Sequence, residues 1–408
     1  MSAPTPALRA LTPPAAPPPV ADGAASGWVR GPVWDGFWLL SPLWIAPTVA
    51  LLGAGWPSAW DSPVQSFYLV VSALFWIGHR FSSTWMAWMS SAYRPLLKAQ
   101  PMRFVVVPVL AVWGIFAVVL DPAELLPGTP LLRAAALGAV DYLLVTWHFA
   151  AQHFGLLSLY RARAGRGGEA GLRRRDRAFA VGVGGGMVLL AEVARGLTAV
   201  PDAWLPAALR WSAVVTWAPV ALWVGGATTA LVTALLVARE LRAGPRSRPR
   251  ALYVAGLGGA VLSAFFLDPF LFLALWTIPH WLSAMALASV VVSGEPAPPR
   301  EARWHRLFHG VNRSAPRWLL AVALVGLVVT PLFEVEAAGG PDDRPMVHAL
   351  GPTLEAAMTG PVWLPWLLAL GLATGLLHYL LDRAVWRLSD PLVREATAPL
   401  LRGSVRGR

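Results

Sequence analysis

The chain contains no cysteine. That excludes disulfides, iron–sulfur clusters and thiolate-bound metal. Charge is also scarce: 13% of residues are Asp, Glu, Lys or Arg, about half the ~25% of an ordinary soluble domain. The arginines behind the net charge of +11 sit in short loops between apolar runs, so the excess does not point to nucleic acid. The His-x2-His-His box of the membrane desaturases is absent. The N-terminus has no basic region leading into an apolar one, so no signal peptide is expected.

What remains is mostly apolar. Of the 408 residues, 56% are hydrophobic, and the mean hydropathy is +0.55. Runs of about 20 residues recur, enough to cross a bilayer as helices. Barrel strands would be about 10 residues and alternating, so the expected fold is all-α, a polytopic membrane helix bundle. Ten spans are predicted, at about Trp34–Leu52, Ser66–Met89, Phe104–Leu120, Leu131–Tyr160, Phe179–Val200, Trp211–Ala238, a short one at Ala251–Phe266, then Pro269–Val292, Trp318–Phe333 and Pro361–Val385. Residues 1–33 read as a disordered Pro/Ala-rich cytoplasmic tail, 34–390 as the helical domain, 334–360 as an outer loop, and 391–408 as a second cytoplasmic tail. Loops after spans two, four, six and eight are basic, for example Arg173-Arg174-Arg175, whereas the others are neutral or acidic, for example Asp342-Asp343. By the positive-inside rule both termini face the cytoplasm of a bacterial-type inner membrane. Glycine clusters at Gly182–Gly186 and Gly256–Gly259 allow close helix approach.

Five histidines fall inside predicted spans: His79, His148, His153, His280 and His378. An ionisable side chain at membrane depth costs roughly 2.5–3.5 kcal/mol or more, so each is a functional candidate by default. All five lie on spans two, four, eight and ten, which run in one direction. Counting back to the inner loops at 1.5 Å per residue puts His79, His148 and His280 roughly 20 Å from the inner boundary, with His153 and His378 roughly 10 Å nearer the cytoplasm. His79, His148, His280 and His378 are the expected metal ligands. His153 and Asp382 are further candidates, either completing a two-metal site or orienting a ligand. Asp382 is four residues from His378, on one helix face, and Asp141 is seven from His148. Asp141 and Gln152 are expected around the ligands. Trp76, Trp147 and Trp281 are expected to wall the site with bulky apolar groups. His305 and His309 read as an interfacial amphipathic turn and His348 as a solvated loop residue.

Imidazole and carboxylate without thiolate suit iron, zinc, copper or manganese. A histidine-bound iron with open positions supports O2 chemistry on a substrate entering from lipid. The polytopic arrangement resembles the bacterial Brp/Blh-type carotenoid dioxygenases, on Ile77-Gly78-His79 and the segment from Trp147-His148 to His153. The Pro-His-Gly-x2-Asp-His type of motif found in that family is absent. The resemblance implies non-haem iron, one or two ions, and a carotenoid or other lipid-soluble substrate, with O2 and an electron donor as partners. Membrane lipids would surround it. Two other readings stay open. One is a haem-binding electron-transfer protein with paired histidine ligands. The other is a transporter or proton relay.

Overall fold

The computed structural model describes residues 27–56, 58, 62–121, 123–199, 212–334, 346–347 and 351–401. Among these residues there are helices and turns and no strand. The helices are α1 (Pro32–Trp38), α2 (Pro42–Gly53), α3 (Pro63–Met89), α4 (Arg94–Ala99), α5 (Val107–Leu120), α6 (Pro130–Arg163), α7 (Ala170–Ala178), α8 (Val188–Ala199), α9 (Ser212–Arg242), α10 (Arg248–Phe266), α11 (Pro269–Ser293), α12 (Arg303–Asn312), α13 (Ala315–Glu334), α14 (Pro352–Thr359), α15 (Leu364–Val385), α16 (Pro391–Ala396) and α17 (Ala398–Leu401). Wider π-helical turns at Met102–Val106 and Phe179–Met187 lead into α5 and join α7 to α8.

Eight helical stretches among the described residues are long and apolar enough to cross a membrane, and the α1–α2 pair, bent by 51°, makes a ninth if counted as one broken span. This is a polytopic all-α membrane protein. The second expected span, α3, has the length at 27 residues but is not among those apolar helices. It carries His79, Arg80, Ser82, Ser83 and Thr84 in its second half. Such a helix is tolerated when its polar face meets protein rather than lipid, and α3 packs against α11, α13 and α15. The seventh span is not short: its helical stretch runs for 22 residues from a 3-10 turn at Pro245 through α10, and Arg250 is buried in ion pairs rather than left in a loop.

The bundle is built around α11. Of its most apolar 18 residues 83% are buried, against 17% in the spans of α5 and α9, so those two present their sides to lipid. Close approach is bought at two glycine contacts that place the centre. Gly78 faces Gly326 of α13, where a Cβ on Gly326 would come within 3.0 Å of the Gly78 nitrogen. That packing behind Gly78 leaves the neighbouring His79 buried on the interior side. A Cβ on Gly185 would lie 3.3 Å from Ala150 Cβ, which brings the π-helical stretch onto α6 between His148 and His153.

Residues 1–26 of the expected N-terminal tail lie outside the described residues. Val29 is buried, and the Val29, Arg30 and Gly31 amides donate to the Asp35 carboxylate at 2.8, 2.9 and 3.3 Å. At the other end, α16 and α17 fall in the stretch expected as a tail, with Val393 and Leu400 buried. Residues 402–408, like 335–345 and 348–350 of the expected outer loop, lie outside the described residues.

Candidate metal centre

Helices α3, α6, α11 and α15 each bring one histidine to a common point. His79, His148, His280 and His378 are buried, and one ring nitrogen from each lies within 4.8 Å of those of the other three. The closest pair is His148 Nε2 and His378 Nε2, 3.2 Å apart. Four nitrogens about a tetrahedral ion at 2.0–2.1 Å would be about 3.3 Å from one another. The widest observed spacing, up to 4.8 Å, would have to close by up to about 1.5 Å around such an ion.

The surroundings of these rings separate ligation from simple helix contact. Both ring nitrogens of His79 and both of His280 are buried without a hydrogen-bond partner. A buried polar atom left unpaired costs about 1–3 kcal/mol, and four at one point are not explained by helix–helix hydrogen bonding. An ion held at the centre would satisfy one nitrogen on each ring. The fixed rings show how orientation is held. Ser83 Oγ lies 2.9 Å from His378 Nδ1, which leaves Nε2 facing the centre. Phe149 stacks on His280 with ring centroids 3.7 Å apart. Gln152 Nε2 donates to the His280 carbonyl at 3.2 Å and to Ser283 Oγ at 3.0 Å, tying α6 to α11.

Several expectations change. His378 does not form a second layer nearer the inner loops. Its ring lies with centroids 4.3 Å from His79 and 4.7 Å from His148, in the same cluster. Counting residues to the nearest basic group assumes helices that end at one plane, but α6 continues to Arg163 whereas α15 stops at Val385. His153 is outside the four-histidine group: its Nδ1 is 2.7 Å from the Tyr253 hydroxyl. Asp382 is placed beside His148, with Oδ2 3.9 Å from Nδ1, rather than against its own helix neighbour His378. That distance is too long for a direct hydrogen bond. Its other oxygen accepts from Trp386 Nε1 at 3.0 Å. Asp141 accepts from Tyr379 at 3.5 Å, and the Tyr379 ring lies 5.1 Å from that of His148.

Trp147 does not wall the site, being 50% exposed on the far side of α6. Trp281 packs with Tyr68, and Trp76 carries Arg80 over its ring at 5.1 Å. His305 and His309 sit on α12 away from the centre, with His309 Nδ1 3.1 Å from Glu295. His348 lies outside the described residues.

Three residues near the centre carried no signal by themselves. Ser83 is four residues after His79, hence on the same face of α3, and that spacing was the available clue. Tyr253 and Ser283 reach the site only through the packing of α10 and α11. Comparison of the chain with protein families, with curated proteins and with solved structures found no match.

Proposed function

We propose that the four histidines hold a transition-metal ion, and that the protein is a membrane oxidoreductase acting on a lipid-soluble substrate. The supporting observation is the convergence of four buried imidazoles from four helices, with the nitrogens of His79 and His280 unpaired. An all-imidazole set with a nearby carboxylate suits iron, copper or zinc, and of these non-haem iron combines naturally with O2 activation. The ion's role when bound is to activate O2. Of the chain's own residues, Ser83 holds the His378 ring, Gln152 ties α6 to α11 at His280, Asp382 places a carboxyl group beside His148, and Phe149 covers the face of His280. Four imidazoles this close leave no slot for a porphyrin plane, so the geometry favours a bare ion over haem. A carotenoid, a fatty acyl chain or a quinone-like molecule would enter from the bilayer, and an electron donor would complete the reaction.

The reading is tested by O2 uptake. Iron-loaded protein should consume O2 when given a lipid extract of its own membrane, and chelator-treated protein should not. Equal uptake by both would sink it.

A proton relay is the second reading, because His148 and His378 face each other nitrogen to nitrogen and Ser83 extends the line. A protein that binds no metal but conducts protons would favour it.

The orientation we propose puts both termini in the cytoplasm of a bacterial-type inner membrane, from the alternation of basic and acidic loops. A reporter fused after Arg408 should read cytoplasmic, and one inserted in 337–345 should read external. The reverse pattern would overturn the orientation.

A further inference from the structure

Next to the four histidines lies a feature that the metal reading does not use. His153 and Tyr253 are both more than nine-tenths buried. Tyr253 Oη lies 2.7 Å from His153 Nδ1. With the phenol donating, the ring's own proton sits on Nε2, and Nε2 has no partner. The His153 side chain lines a small cavity of about 10 Å³ together with Tyr253, Trp276, Ser283 and Leu257. That is about the space one water needs. A buried tyrosine hydroxyl usually finds a partner, which accounts for the hydrogen bond. It does not account for an unpaired imidazole N–H beside a water-sized space.

The rings around the pair form a line. Tyr253 is next to His153, with centroids 6.2 Å apart, and His153 is next to Trp276 at 5.3 Å. Trp276 is next to Phe149 at 5.5 Å, and Phe149 stacks on His280 of the four-histidine group at 3.7 Å. Tyrosine is scarce here, at six residues in 408.

We propose that Tyr253 is a redox-active tyrosine serving the four-histidine centre, with His153 as its proton acceptor. The electron's destination rests on the metal reading above; the chemistry of the pair does not. The oxidant would be a metal ion held at the centre whose oxidation number hydrogen peroxide has raised by two, the peroxide taking two protons from solvent and leaving as two waters. Tyr253 gives up one electron, which passes along Trp276 and Phe149 and lowers the ion's oxidation number by one. The phenolic proton moves in the same step from Oη to His153 Nδ1. The products are a neutral tyrosyl radical and an imidazolium, whose Nε2–H is solvated by a water in the cavity. The pair thereby discharges the centre when it has been oxidised without substrate.

The test is EPR of frozen protein. In one arm, metal-free protein in detergent is photo-oxidised with ruthenium tris(bipyridine) and persulfate. A neutral tyrosyl signal is expected that Tyr253→Phe abolishes and whose lifetime His153→Gln shortens by about tenfold or more, the acceptor being lost. The absence of any tyrosyl signal, or a signal unchanged in Tyr253→Phe, overturns the proposal. In the second arm, iron-loaded protein is treated with hydrogen peroxide. The same radical should form, and Trp276→Leu should reduce it here while leaving the ruthenium-driven signal intact. Bound iron that produces no Tyr253 radical overturns the link to the centre. Failure to bind iron overturns the metal reading instead, and the ruthenium arm still decides the pair.

Discussion

Alanine at His148 or at His280 should lower bound metal from about one ion per chain to background, while the protein still inserts and purifies as folded monodisperse material. The effect is large because the four candidate ligands come from four helices, α3, α6, α11 and α15, and no fifth imidazole among the described residues joins the group. His153, the nearest other candidate, is engaged with Tyr253. Insertion should not suffer, since removing a polar group makes a span easier to insert. Asp382→Asn should be milder, on the order of 10–100-fold in affinity, because Asp382 stands behind His148 instead of at the centre. Metal content by mass spectrometry on size-exclusion fractions separates the cases. Unchanged metal in a His148→Ala, His280→Ala double variant would mean that the histidines only join helices.

The second large effect is on stability. Asp176 is 1% exposed and holds two arginines, Arg161 through Oδ2 at 2.5 Å and Arg250 through Oδ1. Glu240, also 1% exposed, pairs with Arg250 and with Arg166 at 2.9 Å. The network joins α6, α7, α9 and α10 and the turn after α6. Asp176→Ala leaves Arg161 without its carboxylate and Arg250 with Glu240 alone. Breaking a buried pair from one side costs about 3–5 kcal/mol, enough to lower the recovery and the melting temperature of the folded protein sharply. Arg94→Gln is the contrast. Its partner Glu301 is 68% exposed, and such surface pairs contribute about 0–1 kcal/mol. Thermal unfolding in detergent should show Asp176→Ala strongly destabilised and Arg94→Gln near wild type. Equal behaviour would mean that the buried network is not what holds these helices.

These arginines show where sequence reading stops. Arg161, Arg166 and Arg250 look like markers of an inner loop, and hydropathy cannot reveal that Asp176 and Glu240 bury them. The apolar runs did define the helices, because length and hydropathy are local properties. The histidines were legible for a related reason: an ionisable group in an apolar helix is conspicuous whatever surrounds it. Depth was less so. The position of His378 depends on where α15 ends relative to α6, which is set by packing. The roles of Asp382 and His153 were less legible still. Asp382 meets His148 and not its own helix neighbour, and His153 meets Tyr253 from α10, contacts about 230 and 100 residues apart in the chain that no periodicity encodes. Helix α3, which carries His79 and Ser83, is the one whose polarity keeps it out of the apolar spans.

X-ray absorption on protein purified after anaerobic loading with ferrous iron tests the central claim most directly. The account predicts close to one iron per chain, bound by about four imidazole nitrogens at roughly 2.0–2.2 Å, with the multiple-scattering pattern of imidazole rings and no Soret band in the optical spectrum. Iron retained no better than in the His148→Ala, His280→Ala double variant, or a first shell of oxygen alone, would contradict it.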